Sequence, residues 1–169
     1  MTVRLLLIHL KFDIESCRWS CIQESSDPRP VDETNMAIGD HDVEMAGEVP
    51  GVRGKVPSRR FGYVSVVHDN KLVLFGGFDG TRWLNDMFVF CFKTKTWSEI
   101  QAKGTLPSVR SCPAWAKDET SVYIQGGYDG VERKDDFFAC DLATYTWTQM
   151  PSLGTTPSPR YFHSCCLCK

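Results

Sequence analysis

Four histidines, eight cysteines and the adjacent aspartates Asp135–Asp136 are the residues of this sequence weighed first for chemistry. His9, His41, His68 and His163 stand in unrelated contexts, and none has a second ligand at the spacing a metal site uses. Asp135–Asp136 could share general acid–base work, but Asp136 recurs as Asp86 at the start of a strand-like run, which reads as a structural position. The cysteines are Cys17, Cys21, Cys91, Cys112, Cys140, Cys165, Cys166 and Cys168. Cys91 and Cys140 lie in apolar runs, where a free thiol packs as a small hydrophobe. The terminal trio could bind a metal, but alternate positions of a strand account for it better. No nucleophile elbow is present. The double glycines Gly76–Gly77 and Gly126–Gly127 precede no helix start and lie in neither phosphate-binding pattern. The expectation is therefore no enzyme, no cofactor and no metal.

Those glycines instead belong to a repeat. Residues 60–109 align with 110–159 without a gap, with fourteen identical positions. Among them are Arg60/Arg110, Gly76/Gly126, Gly77/Gly127, Asp79/Asp129, Gly80/Gly130, Asp86/Asp136 and Trp97/Trp147, and Arg160 opens a further copy. Gapless identity over two whole units signals repeat architecture. Each unit holds four short β-like runs; in the first these are Phe61–Val67, Lys71–Phe75, Met87–Phe92 and Thr96–Ile100. Helical periodicity is absent, so each unit is predicted to be a four-stranded antiparallel sheet. A sheet with two apolar faces cannot bury both alone, and radial stacking about an axis, a β-propeller, solves that.

An apolar strand ending in Gly-Gly, an aromatic-Asp-Gly turn, Asp-x-aromatic and a later Trp resembles the kelch repeat, in the style of the leucine-zipper-like regulator and Rab effector branches of the galactose-oxidase central-domain superfamily. The resemblance covers residues 60–159. It implies an all-β, kelch-type propeller fragment. In it Gly76–Gly77 and Gly126–Gly127 end second strands where a neighbouring sheet approaches, and Trp97 and Trp147 fill the space between blades. Arg60, Arg110 and Arg160, in equal register, are expected to bond loop carbonyls.

The expected organisation is a partial blade at 1–23 (third and fourth strands), an acidic disordered insert at 24–58, and blades at 59–109 and 110–159. The first strand of a further blade would follow at 160–169. The N-terminal assignment rests on "FDIESCRWSCIQ", which matches "FCFKTKTWSEIQ" with Trp19 on Trp97. Two blades cannot close a ring, which implies a longer protein or an assembly. The insert holds Pro28, Pro30, Pro50 and Pro57, and its eight acidic and three basic residues give it a net of -5 in a chain whose net is -2.

That balance argues against nucleic-acid binding, and no apolar run reaches the length a membrane helix needs. The opening "MTVRLLLIHL" is too short an apolar core, with no small-residue cleavage site, for a signal peptide. A reduced, intracellular and cytoplasmic setting is expected. Alternating strands place the turns after strands two and four on one side, and those turns are the long ones. Partner-binding residues are expected there: Arg82 and Trp83 in the first repeat, Glu132, Arg133 and Lys134 in the second. The partner would be a protein rather than a small molecule, as in kelch propellers that serve ubiquitin-ligase, trafficking or cytoskeletal proteins. The alternative is a galactose-oxidase-like copper enzyme, which would need tyrosine and histidine ligands brought together.

Overall fold

A computed structural model describes the backbone at residues 4–7, 10–13 and 18–21 and the chain over residues 52–168. Two units are distinguished, Met1–Gly51 and Val52–Lys169. The first contains strands β1 (Arg4–Leu7), β2 (Leu10–Asp13) and β3 (Arg18–Cys21), paired as an antiparallel meander. Its register sets Leu5 opposite Phe12 and Phe12 opposite Trp19. This is one strand more than the sequence reading allowed. The apolar run at Leu5–Leu7 finds a hydrogen-bonding neighbour in β2, so the unit is a three-stranded sheet.

The second unit holds two five-stranded sheets. One consists of β4 (Arg53–Gly54), β5 (Val64–His68), β6 (Lys71–Phe78), β7 (Trp83–Cys91) and β8 (Thr96–Ile100), in spatial order β4-β8-β7-β6-β5. The other consists of β9 (Lys103–Gly104), β10 (Ala114–Lys117), β11 (Ser121–Tyr128), β12 (Arg133–Asp141) and β13 (Thr146–Gln149), in order β10-β11-β12-β13-β9. β-branched and aromatic residues alternating about tight turns account for the four antiparallel strands of each. At Asp69–Asn70 both residues have positive φ, the twist a two-residue hairpin needs.

The fifth strand of each sheet is a correction to the four expected. β4 pairs in parallel with β8, and β9 with β13. Each is a short clip laid on the outer edge of a blade by the connection entering it. Each clip ends on the glycine of a motif, Gly-x-x-Pro-Ser-x-Arg, written at Gly54–Arg60 and Gly104–Arg110; a third copy, Gly154–Arg160, forms no strand. Residues 53–58, assigned to the disordered insert, therefore belong to the first blade; residues 24–51 of that insert lie outside the described residues. The segment Tyr161–Leu167, expected as a strand, makes no sheet pairing. It is tethered by bonds such as Phe162 N–H to Cys112 O at 3.0 Å.

The strands on either side of the glycine pairs are longer than expected, because β6 and β11 run through the glycines to Phe78 and Tyr128. A bulge falls between Phe75 and Gly77, with Gly76 and Gly77 at φ of 65° and 103°. A Cβ on Gly76 would lie 3.0 Å from the carbonyl oxygen of Arg110, and one on Gly77 2.9 Å from that of Phe61. The glycines thus admit backbone rather than side chains, and Gly77 N–H donates to Arg110 O at 2.8 Å.

Between the sheets lies the core. Val64, Val66, Val73, Phe75, Met87 and Val89 of the first meet Val122, Ile124, Phe138, Cys140, Leu142 and Trp147 of the second. Trp147, 1% exposed, packs on Phe75 with centroids 4.7 Å apart. Trp97 is only half-buried, against Phe90 of its own sheet at 5.1 Å.

Candidate functional site

The connections after the second and fourth strands share one side of the unit. The β6–β7 and β11–β12 connections, expected to be long, are four-residue turns at residues 79–82 and 129–132. They share one scaffold. Asp79 Oδ1 accepts from the N–H groups of Thr81 and Arg82, each at 2.9 Å, and from the Thr81 hydroxyl at 2.8 Å. Asp129 Oδ1 accepts from the N–H groups of Val131 and Glu132 at 2.9 and 2.8 Å. The Thr81 and Arg82 N–H groups hold the Asp79 carboxyl well below the usual carboxylate range. Burial pushes the Asp129 carboxyl upward, but the Glu132 N–H, the Lys134 ammonium and the Val131 N–H outweigh it and bring it down to about 2. Both aspartates are therefore ionised acceptors that fix their turns.

The tips carried on these scaffolds differ. Arg82 extends into solvent at 78% exposure, with Nε 3.3 Å from Asp79 Oδ2. Val131 and Glu132 are exposed, and Arg133 lies over the Tyr161 ring at 5.5 Å.

Two residues assigned to partner binding have structural work. Lys134, 17% exposed, is ion-paired to both Asp129 and Glu132 at 2.7 Å. Trp83 starts β7, donates Nε1–H to Ser111 Oγ at 3.2 Å, and stacks near Phe78 at 4.3 Å and Tyr128 at 5.7 Å. A methyl group at Gly130 would collide with its ring. Trp83 is thus a wedge between the blades.

Sequence reasoning missed the aromatic ribbon that includes this wedge. Phe61, Phe78, Trp83, Tyr128 and Tyr161 follow one another with centroids 4.3–5.7 Å apart. The recurrence of Phe78 as Tyr128 was its one sequence trace.

The repeated arginines hold acids as well as carbonyls. Arg60 grips Asp86 with both oxygens, at 2.5 and 3.0 Å, and Arg110 grips Asp136 at 2.5 and 2.8 Å. Each also bonds the first glycine carbonyl, Gly76 at 3.1 Å and Gly126 at 2.9 Å. Arg160 bonds Ser158 and, among the described residues, has no carboxylate partner.

Cys91, Cys112, Cys140, Cys165, Cys166 and Cys168 carry free thiols. Cys165 and Cys168 stand at C-x-x-C spacing, which the sequence reading passed over; both are exposed. Among the described residues no three His, Cys, Asp or Glu side chains are gathered as metal ligands. Of the tyrosines a copper site would draw on, Tyr123 donates to Asp118 and Tyr128 to the Gly130 carbonyl, each at 2.8 Å.

Burial pushes the Cys140 thiol up to about 12. Its folded value lies above the unfolded one, so its contribution to stability is present below the ordinary cysteine range and lost as pH climbs toward 12. The expected outcome with an aromatic disulfide reagent at neutral pH is immediate labelling of Cys165, Cys166 and Cys168, and of Cys140 only after denaturant is added. Mass mapping checks this.

Stacked, similarly built blades, each of four antiparallel strands and a parallel clip and riveted at equal register, define the class: a β-propeller fragment. The model of the KLHDC2/KLHL20/DRC7 Kelch-repeats domain matches residues 44–169, and the chain belongs to the kelch-repeat family. Relatives include a Rho GTPase-activating protein of Dictyostelium discoideum, 34% identical over 61 residues, covering 36% of this chain and 4% of that protein. Acyl-CoA-binding domain-containing protein 5 of Arabidopsis thaliana is 29% identical over 133 residues, covering 59% and 20%. Host cell factor 2 of Homo sapiens is 35% identical over 69 residues, covering 37% and 9%. The matched segments thus span between 4% and 20% of these relatives' own lengths. Kelch-repeat domains are in general protein-interaction modules. No helix among the described residues is long and apolar enough to cross a membrane.

Proposed function

We propose that this chain contributes a non-catalytic recognition surface to a protein–protein complex, with the side bearing the β6–β7 and β11–β12 turns as the contact face. One observation carries the reading: aspartate-clamped turns of the same build display different tips, Thr81–Arg82 on one and Val131–Glu132–Arg133 on the other. A residue every blade needs recurs; one serving a particular ligand need not. Rigid turns with variable tips present side chains at little entropic cost on binding. The partner is a protein, and the setting an intracellular, cytoplasmic complex of the ubiquitin-ligase-adaptor, trafficking or cytoskeletal kind. That relatives attach the same segment to proteins named for GTPase activation and acyl-CoA binding supports a transferable module.

The test is a pull-down with the full chain, then titration against the recovered partner. Arg82→Ala with Arg133→Ala is expected to weaken binding by about 2 kcal/mol, a factor of about 30 in Kd, with unfolding unchanged. Lys93→Ala with Lys95→Ala, on the opposite side, leaves Kd in place. The reverse pattern means that the contact face is the other one.

A further inference from the structure

The Gly-x-x-Pro-Ser-x-Arg motif differs among its copies at one chemically decisive position. The residue after the serine is Arg59 in the first, Val109 in the second and Pro159 in the third. In all three the serine hydroxyl meets the guanidinium two residues on, at 3.0 Å for Ser58–Arg60, 3.1 Å for Ser108–Arg110 and 3.0 Å for Ser158–Arg160. The first two arginines are sealed, with side chains 1% and 0% exposed and both nitrogens on an aspartate. Arg160 is exposed, its Nε and Nη2 engaged only with Ser158. Every residue from Pro151 to Arg160 is exposed, and the stretch from Pro151 to Arg160 contains no strand or helix.

An exposed, irregular Ser-Pro segment is what a proline-directed kinase can draw into its cleft, because proline lacks an N–H and favours an extended preceding residue. We propose that Ser158 is a phosphorylation site for a proline-directed serine/threonine kinase, and that the phosphate is held by Arg160. In the transfer, Ser158 Oγ bonds the γ-phosphorus of ATP as the bridging oxygen to the β-phosphorus leaves with ADP. The hydroxyl proton passes to the kinase's base. The product carries about −1.5 to −2 charge beside a guanidinium that suits phosphate as well as carboxylate. Modification thereby supplies Arg160 in cis with the anion that Asp86 and Asp136 supply to its counterparts. It would switch whether this arginine is available to a carboxylate of another strand. Ser58 and Ser108 lack the proline and accept from arginines already paired with Asp86 and Asp136.

The experiment treats the full chain with a proline-directed kinase and Mg-ATP, followed by intact mass and peptide mapping. One phosphate at Ser158, absent in Ser158→Ala and strongly reduced in Pro159→Ala, is expected. Phosphate on Thr156 alone, on Ser58 or Ser108, or nowhere overturns the site. The role of Arg160 is read by phosphorus NMR titration. The phosphoserine midpoint in the native chain is expected about half a unit below that in Arg160→Gln, since an adjacent cation favours the dianion. If that variant resists the kinase, the native chain in urea serves as reference. Equal midpoints overturn the pairing.

Discussion

Trp147→Ala is expected to lower the unfolding free energy of the chain by about 3–5 kcal/mol, the range for truncating a large aromatic in a packed core. The indole is 1% exposed and sits against Phe75 of the preceding blade. Its removal opens a cavity at the one seam where the two sheets share a core, lined by residues from both that cannot collapse without separating the bulged strands. Trp97, at the equivalent register, is half-buried against Phe90, so Trp97→Ala is expected to cost clearly less. Urea unfolding followed by circular dichroism, rather than by tryptophan emission, compares the two. Equal losses at both positions would mean that the seam around Trp147 is not the principal inter-blade contact.

That contrast shows what could be read from residues alone. The recurrence of Trp97 as Trp147 locates a side chain in a blade, because a repeat fixes local register. It cannot say which copy is covered, because burial depends on the neighbour each blade meets. The same limit appears at the glycine pairs. The sequence reading identified a close approach at Gly76–Gly77, but not that the intruder is the Arg110 backbone, which lies 33 residues further along. Strand ends were misjudged for a related reason. Glycine punctuates strands by its entropy, yet a bulge with positive φ absorbs it and pairing continues to Phe78.

The candidate site was legible in part. Its scaffold was readable, since Asp-Gly turns between apolar runs have a mechanism in the aspartate's bonds to the following N–H groups. Its free tips were separable from its fixed residues only by structure. Trp83 and Arg82 are adjacent in sequence and both are interface-prone types. One is wedged on Gly130 and bonded to Ser111, while the other reaches solvent. Lys134 likewise reads as a charged tip and is a buried-side clamp on Asp129.

Arg110→Ala is expected to cost about 3–5 kcal/mol, because it strips the partner from an ion pair within the fold. The residue joins two blades with different parts of itself. Its carbonyl accepts from Gly77 N–H at 2.8 Å and its N–H donates to Leu84 O at 3.0 Å, both in the first sheet. Its guanidinium, 0% exposed, grips Asp136 and the Gly126 carbonyl of the second and lies 5.4 Å above the Phe138 ring. Alanine keeps the first set and abolishes the second. Asp136 is then left facing an apolar void, 24% exposed and only partly solvated. Lysine cannot reproduce a planar fork that serves two carboxylate oxygens and a carbonyl together. Arg110→Lys is therefore expected to lose about 1–3 kcal/mol, the penalty for buried acceptors left unmet. Replacing both partners, as Arg110→Met with Asp136→Leu, removes the desolvation cost along with the attraction and is expected to recover much of the loss. Denaturant titration of the three variants decides it. If the double variant is as unstable as Arg110→Ala, the arginine stabilises the blade seam through its packing on Phe138 and its carbonyl bonds, and not through the aspartate.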